Sequence, residues 1–483
     1  MAGDDDRERW ARWRFAIIGP LLAAPPPRGE LRAHLRELAA RTWSHPIHGT
    51  AVRLSVATLE RWFYRARAAA DPVAVLRRRP RADAGQFRCL TAALIEALHA
   101  QYQAHPGWSV QLHYDNLVAL LNEQPALQPL ASYSTIRRYL KAHGWVRRRP
   151  PKRQTPGAQQ AEWRLANLEV RSYETEYVGG LWHADFHHGS RRVLTASGAW
   201  VKPILLCVID DHSRLICHLQ WYLAETAEVL VHGLSQALQK RGLPRALMTD
   251  NGAAMQTEEF TAGLHQLSIL HEPTLVYSPY QNAKQETFWA TLEGRLMAML
   301  EGISDLNLAR LNEVTQAWVE HDYHRRAHSE LGTTPLRRYL DAKSVVRDCP
   351  ETAALRAAFR TTVTRKQRRS DGTLSLAGKR FEIPSRYRHL ERPTVRYARW
   401  DLSAVTLIDP RTGKSLCPLY PLDKRANADG QRRTREPIAC ADTAPVPATG
   451  NELPPLLRHL LAEYAATGCP PAYLPFPDTE TDG

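Results

Sequence analysis

The chain has 483 residues, 43% hydrophobic and 24% charged, an ordinary globular composition in a length that calls for several domains. Lys and Arg outnumber Asp and Glu by 64 to 50, a formal net charge of +14 that points to a polyanionic partner. No run approaches 18 apolar residues, the first residues are too charged for a signal peptide, and the seven scattered cysteines lack zinc-knuckle or redox spacing. Those features argue against membrane-spanning, secreted disulfide-rich and zinc-module classes, and fit reduced thiols in the cytoplasm.

From the N-terminus, 11–24 reads as a short packed element. Leu31, Leu35 and Leu38 sit at helical spacing, and a second helix over 55–67, capped by Ser55, carries Arg61, Trp62, Tyr64, Arg65 and Arg67. The pair predicts an all-α helix-turn-helix unit over 1–82, closed by the basic linker Arg77, Arg78 and Arg79. A second helical unit, 83–153, has helices over 91–103, 113–122 and 132–143. The last exposes Arg137, Arg138 and Lys141 behind the cap residue Ser132, and Arg147, Arg148 and Arg149 follow. Two helical units each ending in cationic linkers suit a protein that follows a double-stranded DNA backbone. A linker helix is expected over 154–178.

From 179 to 345 strand and helix patterns alternate, predicting an α/β domain. Strands are expected at 182–188, 203–209 and 215–221, then a helix at 225–241 stopped by Gly242. A strand at 245–249, a helix at 257–267, a strand near 269–272 and a long helix over 283–300 complete the series. After a linker, 346–369, three β-rich runs punctuated by turns predict a small β unit over 370–425. The Pro/Ala-rich tail, 426–483, is acidic, with one helical stretch at 453–464, and reads as a disordered end or a docking peptide.

Within the α/β region three acids stand out. Asp185 interrupts an aromatic and apolar strand, where an unpaired carboxylate is costly. Asp250 ends a short strand just before Asn251 and Gly252, at the kind of strand end where ligands collect. Glu286 opens the long helix. Hard divalent cations take oxygen ligands and need few of them, and two such ions can drive in-line displacement at a phosphodiester without a Ser, Tyr or Cys nucleophile.

The segments around these acids are Gly180-Leu-Trp-His-Ala-Asp185-Phe, Val208-Ile-Asp-Asp-His-Ser-Arg214, Met248-Thr-Asp250-Asn-Gly252, Tyr277-Ser-Pro-Tyr-Gln-Asn-Ala-Lys-Gln-Glu286 and Tyr323-His-Arg-Arg-Ala-His328-Ser-Glu-Leu-Gly332-Thr-Thr-Pro335. Together they resemble the DDE transposases and integrases, in the phage Mu transposase-like insertion-sequence branch. The resemblance implies an RNase H-like core with a mixed five-stranded sheet, followed by a small C-terminal β-barrel over 370–425. It also implies metal binding and catalysis by Asp185, Asp250 and Glu286 with two Mg²⁺ (or Mn²⁺) ions, and 3′-end cleavage followed by strand transfer. It suggests a homo-oligomer on DNA, an AAA+ ATPase as target-selecting partner, and a nucleoid-associated location in a bacterial cytoplasm. The chain departs from the pattern at Ala283 and Thr287, where many members carry Gly and Arg, so Lys284 or Arg295 is the expected substitute phosphate contact.

Asp210 and Asp211 are expected to shape a hairpin, with Asp211 supporting the site from behind. Asn251 and His187 are further supporting or DNA-contact candidates, and Glu293, seven residues after Glu286, is the alternative third acid. Phe288 and Trp289 read as core, while His328 and Ser329 read as packing or DNA contacts. Two other readings stand: a non-catalytic DNA-binding regulator that kept the fold, and a metal-dependent nuclease that does not join strands.

Overall fold

The computed structural model describes residues 2–77, 87–147, 174–195, 197–274, 283–303, 306–423 and 453–476. Arg78, Arg79, Arg148 and Arg149 lie outside them, as does nearly all of the linker helix expected over 154–178. The chain divides into two compact units, Met1–Arg88 and Cys89–Gly483.

The first unit contains α1 (Ala2–Ala23), α2 (Leu31–Ala40), β1 (Thr42–Ser44), β2 (Ala51–Arg53), α3 (Val56–Arg67) and α4 (Pro72–Val75). Ser55 caps α3 as expected, its side chain accepting the Thr58 N–H at 3.3 Å. Leu59, Trp62 and Ala66 turn inward to meet Ile17, Ile18 and Leu35, which leaves Arg61, Arg65 and Arg67 exposed on the outer face. The link between α2 and α3 of the expected helix-turn-helix contains an antiparallel hairpin, with Trp43 paired to Val52. Trp43 packs on the core and His45 meets the Trp10 ring at 5.0 Å, while the strands are only three residues long, too short for a periodic signal.

In the second unit α5 (Ala92–Ala104), α6 (Val110–Glu123) and α7 (Tyr133–Ala142) each begin behind a hydroxyl cap, Thr91, Ser109 and Ser132. These helices do not stand free. Leu112 and Ala119 of α6 enter the main apolar core, and the Trp108 indole donates to the Ala298 carbonyl at 3.0 Å.

The central sheet follows the sequence reading closely: β3 (Leu181–His188), β6 (Ile204–Asp210), β7 (Ile216–Tyr222), β8 (Ala246–Thr249) and β9 (Leu270–Pro273), with the short pair β4 (Val193–Leu194) and β5 (Trp200–Val201) beside it. Spatial order is β7-β6-β3-β8-β9, antiparallel across the first three and parallel from β3 through β9. This is the mixed five-stranded, RNase H-like arrangement. Both faces are covered, so β6 and β7 are buried along their whole length; β6 is an apolar run up to Asp210, and β7 buries two polar side chains, His218 and Gln220, that are hydrogen-bonded. Leu206 and Val208 of β6 pack toward α8 (Ala227–Arg241) and α9 (Glu258–Gln266). Leu205, Cys207 and Ile209 point the other way, toward α10 (Ala283–Leu292) and α11 (Leu308–Trp318). Gly242 ends α8 at φ 80°, and a Cβ there would come within 2.3 Å of Val346. The α10 helix continues through a π-helical turn, Glu293–Met297.

After α12 (Pro335–Asp341) and α13 (Thr352–Ala358) comes an all-β region. Strands β10 (Thr361–Thr364), β13 (Thr394–Ala398), β14 (Asp401–Ile408) and β15 (Ser415–Leu419) form an antiparallel sheet. The hairpin β11 (Thr373–Leu376) and β12 (Lys379–Glu382) shares its core through Leu374, Leu376 and Phe381.

The last described segment, 453–476, holds the helix expected at 453–464, and it is packed into the fold instead of forming a disordered end. Leu456, Leu457 and Leu460 of α14 (Pro455–Ala466) are buried in the same core as α6 and α11. Asn116 accepts the Leu456 N–H at 3.1 Å, and Arg458 pairs with Glu123 at 2.5 Å. Beyond the helix the backbone is held by side chains of the core. Gln220 donates to the Leu474 carbonyl at 2.9 Å, Gln236 accepts the Leu474 N–H at 2.6 Å, and Lys240 donates to the Ala472 carbonyl at 2.7 Å. Phe476 meets Tyr222 and His232 edge-on. No helix among the described residues is long and apolar enough to cross a membrane.

Candidate active site

The register of the sheet builds the site. Ala184 of β3 lies opposite Thr249 of β8 in the parallel ladder, so the next residues, Asp185 and Asp250, leave that ladder as neighbours. On the other side Asp185 faces Cys207 of β6. Asp250 is held by its own turn: the Gly252 N–H donates to its Oδ1 at 2.9 Å, and a Cβ at 252 would sit 3.0 Å from that oxygen. The Asn251 side chain donates to the Thr274 carbonyl at 2.7 Å, tying this turn to the end of β9. Asn251 therefore supports the turn rather than standing free for DNA.

Burial, and then the nearby Asp250 charge, push the Asp185 carboxyl up to about 7. Three contacts work against that rise: the Trp289 indole and the Phe186 N–H donate to the carboxylate, and His187 lies near. A half-buried carboxyl that resists ionisation beside a second carboxylate is a pair that a hard cation would neutralise, and its donors are all oxygen.

Trp289 links Glu286, the candidate third acid, to the pair. The sequence reading took Trp289 as core, and it is buried, yet its N–H reaches Asp185. Glu286 lies three residues earlier on α10, so it shares that face of the helix and is exposed. Among the described residues no three of His, Cys, Asp and Glu form a ready metal cluster. What is preassembled is the Asp185–Asp250 pair, with Glu286 on the helix that Trp289 anchors to it. The alternative third acid, Glu293, is engaged elsewhere: His187 contacts it at 3.0 Å and Ser190 donates to it at 2.5 Å. The His187 ring stacks on Trp289 at 4.7 Å, so this histidine braces the site.

Asp210 shapes the hairpin as expected, accepting the Gly179 N–H at 2.8 Å and both the N–H and hydroxyl of Ser213. Asp211 is fully buried and meets His183 and Lys284. Arg295 corrects an expectation. It is buried on the π-helical turn and paired with Asp115 and Asp322, each at 2.9 Å, so it is a structural cation and not a phosphate contact. Arg77 likewise pairs with Glu8 at 2.6 Å. Arg137, Arg138, Lys141 and Arg147 are exposed on and after α7, as Arg61, Arg65 and Arg67 are on α3.

Comparison with known proteins agrees with this core. Residues 176–279 match the integrase core domain family. The transposase for transposon Tn552 of Staphylococcus aureus is 25% identical over 194 residues, covering 36% of this chain and 39% of that protein. An uncharacterized 39.2 kDa protein of insertion element IS476 from Xanthomonas euvesicatoria is 31% identical over 130 residues, 27% of this chain and 37% of that protein. The chain thus spans well under half the length of either relative. Among solved structures, the HTLV-2 integrase catalytic core domain in complex with magnesium aligns with 34% of this chain and 97% of its own at 18% identity, TM-score 0.28. The BIV integrase catalytic core domain aligns at 22% identity over 34% of this chain and 95% of its own, TM-score 0.27. Residues 176–279, which carry β3 to β9 and set the strands bearing Asp185 and Asp250 side by side, match the integrase core domain family, and the RNase H-like part of this chain is an integrase-type core.

Proposed function

We propose that this chain is a DNA transposase that binds the ends of its element, cuts to expose a 3′-hydroxyl and joins that end to target DNA. The observation that carries the reading is the pairing of Asp185 with Asp250 at the edge of a parallel ladder, with Asp185 resisting ionisation. Asp185, Asp250 and Glu286 would hold two Mg²⁺ or Mn²⁺ ions, which when bound activate the attacking oxygen and neutralise the leaving one. The chain's own part is to fix the donors. The Gly252 N–H orients Asp250, the Trp289 and Phe186 N–H groups orient Asp185, and His187 braces Trp289.

The exposed cations of α3 and α7 are the proposed contacts to double-stranded DNA, phosphate contacts giving affinity and groove contacts giving end specificity. Joining two ends requires at least two copies, so a homo-oligomer on DNA belongs to the proposal, as does action in the bacterial cytoplasm. An AAA+ ATPase partner rests on the sequence resemblance alone.

The test uses purified protein, a labelled element end and Mg²⁺, scored for binding, nicking and joining. Asp185→Asn, Asp250→Asn and Glu286→Gln should each abolish nicking and joining while leaving end binding within a few-fold of wild type. Full activity in any of the three would falsify the assignment. Nicking without joining by the wild type would favour the nuclease reading, and binding without either the regulator.

A further inference from the structure

One fully buried carboxylate connects the strand that carries Asp185 to the helix that carries Glu286. Asp211, at the turn between β6 and β7, is 0% exposed. Its Oδ1 meets His183 Nε2 at 2.8 Å and accepts from Lys284 Nζ, and its Oδ2 accepts the Thr175 N–H at 2.9 Å and the Thr175 hydroxyl at 3.2 Å. His183 precedes Asp185 by two residues on β3, and Lys284 precedes Glu286 by two on the first turn of α10. A lysine in the first turn of a helix opposes the helix dipole, and burying its ammonium costs further. Only a compensating anion in fixed geometry offsets both, and Asp211 supplies it.

We propose that Asp211 and Lys284 are positioning residues: their buried ion pair bolts the first turn of α10 to the central sheet and so sets the direction in which Glu286 faces the Asp185–Asp250 pair. The inference rests on Glu286 being the third acid. Trp289 anchors the same helix face one turn later, so the two contacts together fix both the placement and the rotation of α10. Lys284 is then committed to the protein, whereas the sequence pattern offered it as a phosphate contact. In this role the pair touches neither DNA nor the reacting atoms.

The experiment compares full-length wild type with Lys284→Met, Lys284→Arg, Asp211→Asn and the double variant Asp211→Asn/Lys284→Met. The double variant avoids leaving an unpaired buried charge, so it keeps the test open if a single variant does not fold. Three quantities are read: amide exchange of residues 283–289 without metal or DNA, the Mg²⁺ concentration for half-maximal nicking, and kcat against KM for the labelled end. The expected result is faster exchange confined to the start of α10, a 10–100-fold rise in the Mg²⁺ requirement and a similar fall in kcat, with KM for DNA unchanged and partial rescue by Lys284→Arg. Wild-type exchange and Mg²⁺ response in the double variant overturn the proposal. So does a rise in KM with unchanged kcat, which would make Lys284 a DNA contact. Glu286→Gln, measured beside them, separates the two failures. If that variant stays active the third-acid reading is lost, and if it is inactive while the double variant is normal only the bolt is lost.

Discussion

Asp185 and Asp250 lie one residue beyond the last parallel rung that joins their strands, and the charge of one raises the proton affinity of the other. An unfolded Asp titrates near pH 4 and the folded Asp185 near pH 7, so the native state disfavours its charged form. Stability gained from the protonated carboxyl is complete below about pH 4 and is lost as pH rises through about 7. Metal-free wild type should therefore lose on the order of 2–4 kcal/mol between pH 4 and pH 8 that Asp185→Asn does not lose. Melting curves at both pH values check it: the variant should melt several degrees above wild type at pH 8 and level with it at pH 4. Equal separation at both values would remove the coupling.

Arg295→Ala should destabilise the fold rather than loosen DNA. Removing the cation leaves Asp115 and Asp322 with Arg326 as their remaining cation, a loss of about 1.5–3 kcal/mol for the charge-assisted hydrogen bonds removed. Arg295→Met, which keeps the bulk, should not recover it. Chemical denaturation measures the loss. DNA anisotropy under folding conditions should show an unchanged salt slope.

The exposed arginines behave oppositely. Arg61→Ala on α3 and Arg137→Ala on α7 should each leave the melting temperature within a degree or two and flatten the log–log salt dependence of end binding by about one unit. A flat response from both would place the DNA contacts on another face.

Half-buried His232 carries a pH signature of its own. Burial lowers it to about 4, beside Tyr222, Gln236 and Phe476, with Lys240 and His218 nearby in the same network. Its neutral form contributes stability that is complete above about 6.5 and is lost as pH falls through about 4. Protonation would loosen the 472–476 segment. Limited proteolysis of that segment should accelerate from pH 6.5 to pH 4 in wild type, and His232→Gln should reduce the acceleration.

Much of the central domain was legible because its signals are local. Two-sided burial wrote a continuous apolar run into β6, hydroxyl caps marked α3 and α7, and Gly242 ended α8, while the cap Ser109 went unread and α6 starts three residues before the expected 113. The acids were legible as misfits, charged residues where strand ends should be apolar. What the sequence hid were pairings across long separations. Nothing near Arg295 says that Asp115 waits for it, 180 residues earlier. Trp289 has the same local pattern whether it only packs or also donates to Asp185. The leucines of α14 read as an amphipathic helix in an acidic tail, and only the tertiary fold reveals that α6 and α11 receive them.

That last arrangement has a consequence for the order of synthesis. Leu456, Leu457 and Leu460 fill a core whose other walls, around Leu112 and Trp318, leave the ribosome long before them. For the seconds that the intervening residues take to be made, those walls face water. A nascent chain stalled ahead of α14 would present an oily surface to chaperones and proteases, so this core closes only once Leu456, Leu457 and Leu460 have arrived.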